Sequence, residues 1–147
     1  MKGDESKLSA VKNSICEALF ELNMFQDILS DYPNKYFGNL LSKIIDINTI
    51  PFFLITKNGV HMSQFDMDEG FETSYFRIES VDRTTGYAVI SLLRPLDMEG
   101  NITNSRGHVF RLEKTDKTKT IDVSLISAVQ PLNIELLKRN IIIEPKW

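Results

Sequence analysis

The residues that most often carry chemistry are few in this sequence of 147 residues, and they lie far apart. Cys16 is the single cysteine, and His61 and His108 are the two histidines. A reactive thiol needs a cationic neighbour or a helix N-terminus, and Lys12 is the only cation near Cys16 in sequence. Neither histidine has a cysteine or a second histidine at metal-ligand spacing. We therefore interpret Cys16 as a buried packing residue and predict no enzymatic activity, no cofactor and no metal site.

Two short motifs are better explained as ordinary loops than as sites of ligand binding or modification. Asp66-Met67-Asp68-Glu69-Gly70 resembles the opening of a calcium loop but lacks the later bidentate glutamate and the correctly placed glycine. Asn101-Ile102-Thr103 is a glycosylation sequon, yet Met1 to Lys12 is polar and charged, so we expect no signal peptide. No apolar run approaches the roughly 18 residues that cross a bilayer, and membrane insertion is not expected.

A four-residue pattern occurs twice, as Phe76-Arg77-Ile78-Glu79 and as Phe110-Arg111-Leu112-Glu113. Successive side chains of an extended chain point to opposite faces, so each copy predicts a half-buried strand with an Arg/Glu pair on its outer face. Such an ordered outer face suits contact with other protein better than it suits catalysis. The candidate residues for self-association or partner contact are Arg77, Glu79, Arg111 and Glu113. The alternative is that they form ordinary solvated ion pairs, each contributing only ~0–1 kcal/mol.

Composition predicts one globular domain that spans residues 1–147. Hydrophobic residues make up 42% of the chain and charged residues 25%, which is the balance of an ordinary folded domain. The net charge is −3 and the 17 lysines and arginines are dispersed, so nucleic acid is not an expected partner. A single cysteine cannot form an intramolecular disulfide, so the apolar core must supply the stability. Within the domain we separate a helical N-terminal segment, 1–48, from a β-rich region, 49–147.

The N-terminal segment carries the pattern of a long amphipathic helix. Apolar residues recur every three or four positions from about Asp4 to Ser30. Asp4 or Ser6 would cap its start, and Pro33 disfavours helical geometry in the residue before it. A shorter helix is predicted from Tyr36 to Ile45.

After Pro51 the pattern changes from helical to extended. Short apolar segments alternate with turn residues, beginning with a hairpin about Lys57-Asn58-Gly59, and Asp66 to Glu72 is predicted as a loop. The predicted strands are Phe52 to Thr56, Val60 to Phe65, Ser74 to Asp82, Tyr87 to Arg94, His108 to Thr115, one or two within Lys119 to Val129, and an edge strand at Ile141 to Ile143, with a short helix from Ile134 to Arg139. The fold class is therefore mainly β, an antiparallel two-layer sheet or small open barrel with a long N-terminal α-helix.

Several segments occur in an order that is typical of one protein family. They are Thr49-Ile50-Pro51-Phe52, Tyr75-Phe76-Arg77-Ile78-Glu79, Ala88-Val89-Ile90-Ser91-Leu92-Leu93 and Val109-Phe110-Arg111-Leu112-Glu113-Lys114-Thr115, followed by Ile121-Asp122-Val123, Ser127-Ala128-Val129 and Leu132-Asn133. From roughly Thr49 to Arg139 the chain thus resembles the CotY/CotZ/ExsY family of bacterial spore-surface proteins. The resemblance implies a structural protein without enzymatic activity, made in the cytoplasm of the mother cell and deposited on the spore surface, in the outer coat, crust or exosporium. Its expected partners are further copies of itself, in an oligomer or lattice, and other spore coat proteins.

The chain departs from this family in being poor in cysteine. Members cluster cysteines after the Phe-Arg-Leu-Glu strand, whereas Leu125 to Pro131 contains no thiol. Disulfide cross-linking of subunits is therefore not expected, and assembly is predicted to be non-covalent, through exposed strand faces and edges. The alternative from a different class is a monomeric β-rich module that binds a small ligand or peptide in a sheet-lined pocket.

Overall fold

The structure is a computed structural model that describes the backbone of residues 2–31, 49–132 and 142–144 and the side chains of 14–28 and 49–132. Helix α1 (Lys2–Asp31) confirms the predicted long helix. It stops two residues before Pro33, consistent with the extended geometry that proline favours in the residue before it. Because α1 begins at Lys2, Asp4 and Ser6 lie within the helix and do not cap it. The helices predicted at 36–45 and 134–139 lie outside the described residues.

In the described part of the chain, eight strands follow, and six of them form one sheet. They are β1 (Phe52–Thr56), β2 (Gln64–Asp66), β3 (Phe71–Thr73), β4 (Phe76–Asp82), β5 (Tyr87–Leu96), β6 (Arg111–Asp122), β7 (Ile126–Pro131) and β8 (Ile142–Glu144). The sheet has the order β7-β1-β4-β5-β6-β8, in which β8 runs parallel to β6 and the other neighbours are antiparallel. The predicted mainly β fold with a long N-terminal helix is confirmed, and within the described residues the sheet does not close into a barrel.

The first predicted hairpin forms only near its turn. The turn itself forms, since Gly59 has a φ of +77° and its N–H donates to the carbonyl of Thr56 (2.9 Å). Beyond the turn, the returning segment pairs with β1 at one bridge, between Ile55 and His61, where the N–H of Met62 donates to the carbonyl of Leu54 (2.7 Å), and it does not continue as a strand to Phe65. Residues 66–72, which were expected to be a loop, instead form the turn and parts of both strands of a small hairpin, β2 and β3. β1 is left to pair with β7 along its length and with β4 at Phe52.

The other strand predictions are largely confirmed. β4 and β5 form the predicted hairpin, with Gly86 at a φ of +78° in the turn. The segments predicted as two strands around residue 115 are one 12-residue strand, β6. The edge strand predicted at 141–143 is present as β8.

One side of the sheet, the helix face, is covered by α1. Phe52 lies opposite Phe76, and Phe76 opposite Leu92, so every second residue of the three strands points towards the helix. Cys16 is 4% exposed, as expected of a packing residue. The buried core of this face comprises Ile15, Cys16, Leu19, Phe52, Leu54, Phe71, Phe76, Ile78, Ala88, Ile90, Leu92, Ile121, Val123 and Ile126.

A buried glutamine fastens the helix to the sheet. Gln26 is 2% exposed. Its Nε2 donates to the carbonyl oxygen of Ile78 (2.8 Å), and its Oε1 accepts from the backbone N–H of Ile50 (3.2 Å). Both ends of the amide are therefore satisfied, which is what keeps a buried polar side chain from destabilising the core.

The opposite side of the sheet, the outer face, carries a second and smaller apolar cluster. Phe53, Tyr75, Leu93 and Leu112 are buried there, and half-buried Val109 and Leu132 pack against them. The loop after β5 returns along this cluster, and the guanidinium of Arg106 lies 4.7 Å from the centroid of the Phe53 ring.

The β7 edge of the sheet ends in a proline. Pro131 pairs with Phe52 and is followed by Leu132, whose N–H donates to the carbonyl of Pro51 (3.0 Å). Backbone groups alternate in direction along an antiparallel strand, so those of Pro131 point away from β1. Proline is tolerated at such edge positions because it has no N–H to donate.

Candidate interaction surfaces

The first copy of the repeated pattern forms a hydrogen-bonded charge network on the outer face. Arg77 Nη1 and Glu79 Oε1 are 2.6 Å apart, and Arg77 Nε donates to Thr49 Oγ1 (3.0 Å). Glu79 Oε1 also accepts from the hydroxyl of Ser91 on β5 (2.8 Å). The side chains of Arg77 and Glu79 are 12% and 33% exposed, so the pair is fixed in position while its carboxylate remains accessible.

Lys114 adds a second cation beside this network, which we call the outer-face network (Thr49, Arg77, Glu79, Ser91 and Lys114). It pairs in register with Leu93, whose side chain belongs to the outer-face cluster. Burial lowers the pKa of Lys114, the nearby charge of Arg77 lowers it further, and Glu79 acts in the opposite direction. The pKa shift thus indicates that the two cations are close enough to influence each other.

The second copy of the pattern builds a different cluster. Glu113 is only 8% exposed and its Oε1 bonds Arg94 Nη1, while Arg94 Nη2 bonds Glu69 Oε2. Arg94 is itself buried, and its guanidinium lies 5.2 Å from the centroid of the Phe71 ring in the helix-face core. We call this the Arg94 clamp (Glu69, Arg94 and Glu113). It joins β5, β6 and the turn between β2 and β3.

The two copies therefore present their charges to opposite faces of the sheet. Arg77 pairs in register with Ser91, and Glu113 with Arg94. Ser91 and Arg94 are three residues apart on β5, so their side chains lie on opposite faces. The prediction of one shared inner face and one shared outer face is wrong for this reason. Of the four predicted contact residues, Arg77 and Glu79 come together on the outer face, whereas Arg111 is half-buried and Glu113 buried on the other side.

A small cleft opens on the outer face beside the apolar cluster. Its cavity volume is about 130 Å³. The lining residues are Ser63, Glu72, Thr73, Ser74, Tyr75, Pro95, Thr103, Asn104 and Arg106. Burial raises the pKa of Tyr75, and the positive charge of Arg106 opposes that rise. The cation and the phenol are thus neighbours across the cleft.

The residues first considered for chemistry are not gathered into one site. His61 is half-buried and packs edge-on against Phe53, with ring centroids 5.3 Å apart, while His108 is exposed. Within the described part of the chain, no group of three histidines, cysteines or acidic residues could hold a metal ion. Nor does any described helix have the length and apolar character to cross a membrane.

Sequence reasoning missed Arg94 and Gln26, the two buried polar side chains that organise the helix face. Arg94 follows the apolar run Ala88 to Leu93, and an arginine in a buried strand requires an acidic partner. Its position in the sequence therefore indicated a buried ion pair. The partner could not be identified, because Glu69 and Glu113 are distant in sequence. Gln26 lies on a helix that was recognised by the spacing of its apolar residues, and that spacing does not show that this glutamine is buried.

Comparison with known proteins places the chain in the CotY/CotZ type of spore coat family, to which it belongs. The relative that shows this is spore coat protein Z of Bacillus subtilis (strain 168), which is 30% identical over 143 residues, covering 87% of this chain and 95% of the relative. No protein-family model matches the chain. No solved structure matches it either.

Proposed function

We propose that this chain is a structural, self-assembling protein of the spore surface, where it forms or anchors a proteinaceous layer in the outer coat, crust or exosporium. The observation that carries the proposal is the similarity to a spore coat protein along nearly the whole length of both chains. In this role the protein is made in the mother cell, is deposited on the spore, and contacts further copies of itself and other coat proteins.

The outer-face network is the contact surface that the geometry favours most. Arg77 is held by Thr49 and Glu79, so little side-chain entropy remains to be lost when a partner binds. A rigid charged pair next to an apolar cluster combines orientation with burial, which is how interfaces gain both specificity and affinity. Arg111 and Glu113 are proposed as a second contact region at the margin of the helix face, with buried Glu113 acting through Arg94.

Assembly is proposed to be non-covalent. Cys16 is the single cysteine and is buried against the helix-face core. One thiol per subunit could link two chains but could not propagate a layer. Assemblies should therefore survive reductant and the substitution Cys16→Ser.

Light scattering across a concentration series, with negative-stain microscopy of the same samples, tests self-assembly. We expect oligomers or ordered sheets at micromolar concentration, weakened by salt and by reversing Arg77 and Arg111 together to Glu. Because the two arginines lie on opposite faces, the single reversals show which face makes the contact. Lys57 and Arg83, both exposed, reversed together give a control with the same change in net charge. A monomer at all concentrations, or dissociation by reductant alone, would contradict the proposal.

The cleft does not favour the alternative of a monomeric ligand-binding module. Pockets for small-molecule ligands usually enclose about 300–1,000 Å³, mostly apolar. The described cleft has only about 130 Å³, and polar and apolar surface contribute about equally to its lining. Its size suits a single side chain better than a whole ligand.

A further inference from the structure

The cleft on the outer face contains several hydrogen-bond donors that bond to no other described group. Two of its hydroxyls are already used, since Ser63 donates to Glu72 (2.5 Å) and Thr73 donates to the carbonyl of Leu93 (2.7 Å). The remaining donors belong to Ser74, Tyr75, Thr103, Asn104 and Arg106. The cleft therefore presents donors that bond to no described protein group, on a lining whose surface is about half polar.

Arg106 gives the cavity its charge. Arg106 is exposed, and its guanidinium forms no ion pair within the described residues and stacks over the Phe53 ring, which restricts its orientation. A planar guanidinium fixed beside a phenol and an amide matches the two oxygens of a carboxylate, which accept paired hydrogen bonds. The cavity volume of about 130 Å³ corresponds to one acidic side chain.

Glu72 is the acidic residue of the lining, and its charge limits the affinity of the cleft for an anion. Among the described residues it forms no ion pair with Arg106, and its carboxylate instead accepts a hydrogen bond from the hydroxyl of Ser63 (2.5 Å). Because Glu72 lines the same cleft, its negative charge would oppose the binding of a carboxylate there.

We propose that this cleft is a carboxylate-binding site, centred on Arg106 and Tyr75, which receives an acidic side chain of a second copy of the chain. The occupant follows from three observations: the cavity has the size of a side chain, it opens on the face proposed for self-association, and the chain is acidic, with exposed carboxylates such as that of Glu99. The identification of the occupant as a second copy of the chain rests on the proposed function.

Titration of the full chain with sodium acetate, at constant ionic strength and followed by amide NMR, tests the carboxylate chemistry. We expect saturable shifts confined to Ser74, Tyr75 and 103–106. Arg106→Gln should weaken binding at least about tenfold and Tyr75→Phe about threefold, as losses of one charged and one neutral hydrogen-bond donor. Glu72→Gln should tighten binding, since it removes the like charge but keeps an oxygen for Ser63.

Arg83→Gln is the matched control, because Arg83 also stacks on an aromatic ring, 4.0 Å from the centroid of Phe20, but lies away from the cleft. It should leave acetate binding unchanged. Thermal midpoints of all variants verify that folding is retained. Shifts that stay linear in acetate concentration, or that persist in Arg106→Gln, would overturn the site.

Light scattering identifies the occupant. If a second copy fills the cleft, acetate and Arg106→Gln both reduce assembly, while sodium chloride of equal ionic strength reduces it less. Saturable acetate binding without any effect on assembly would exclude the second copy and assign the cleft to a free acid. Saturable binding by a chain that never assembles would refute the proposed function but leave the carboxylate site standing.

Discussion

The two copies of the Phe-Arg-apolar-Glu pattern are nearly identical in sequence and differ completely in their surroundings. In the first copy, Arg77 and Glu79 bond each other on the outer face, where part of the pair is exposed. In the second, Glu113 is buried and bonds Arg94 from the neighbouring strand. The difference shows that a short pattern specifies alternation along a strand, whereas the pairing register decides which face receives the charges.

The largest expected effect is on stability, to which the Arg94 clamp should contribute more than the outer-face network. Arg94→Met removes a buried guanidinium from two carboxylates and should lower the free energy of unfolding by about 3–5 kcal/mol. Arg77→Met, on the more exposed network, should cost about 1 kcal/mol. Urea unfolding measures both, and Arg94→Met combined with Glu113→Gln should recover part of the loss. Equal costs for the two single variants would refute the distinction between the faces.

A second prediction concerns the attachment of α1 to the helix face. Leu19 is fully buried, so Leu19→Ala should lower the free energy of unfolding by about 2–5 kcal/mol. Leu22 is half-buried at the edge of the same core, and Leu22→Ala should cost less. Thermal and urea unfolding check the order. An unchanged midpoint for Leu19→Ala would mean that the helix does not stabilise the sheet.

Gln26 provides a third test, because it bonds the sheet through both ends of its amide. Gln26→Leu retains most of the side-chain volume but leaves the carbonyl of Ile78 and the N–H of Ile50 without this partner. The expected cost is about 1–3 kcal/mol. Gln130, which is exposed on β7, offers the control substitution Gln130→Leu, with little expected change. Similar stability of the two variants would argue against a structural role for the buried amide.

The smallest expected effect is a pKa change that reports on the outer face alone. Arg77→Met should raise the pKa of Lys114 and Glu79→Gln should lower it, whereas Arg94→Met should leave it unchanged. Titration of carbon-13-labelled lysine by NMR measures these shifts. A response to Arg94→Met as large as the response to Arg77→Met would contradict the separation of the two clusters.

The lowered pKa of Lys114 also predicts that the stability of the fold depends on pH. The pKa of Lys114 is lower in the folded chain than its ordinary value of 10.5, so its charged form is disfavoured by folding. Stability should therefore rise as the pH increases from the lowered pKa towards 10.5, since the folded chain releases its proton first. Lys114→Met should remove this part of the pH profile, as measured by urea unfolding at several alkaline pH values.

Local sequence patterns were sufficient for most elements but not for their partners. The spacing of Leu8 to Leu29 predicted α1, and turn residues such as Gly86 located the β4–β5 hairpin, because both depend on neighbouring residues. The partner of β1 is β7, at least 70 residues away, and no local pattern encodes that pairing. Arg77 and Glu79 could be paired from the sequence because they are close neighbours in it. The partner of Glu113, Arg94, lies on another strand and could not be identified in this way.

In the proposed assembly, Pro131 would limit the directions in which copies of this chain join. A strand adding beside β7 would meet a residue without an amide hydrogen where the backbone points outward. At this end of β7, the missing donor would therefore weaken the edge-to-edge strand addition by which one continuous sheet grows into fibrils. Copies that meet through their broad faces instead would accumulate as a layer, the geometry that a covering for a curved particle needs.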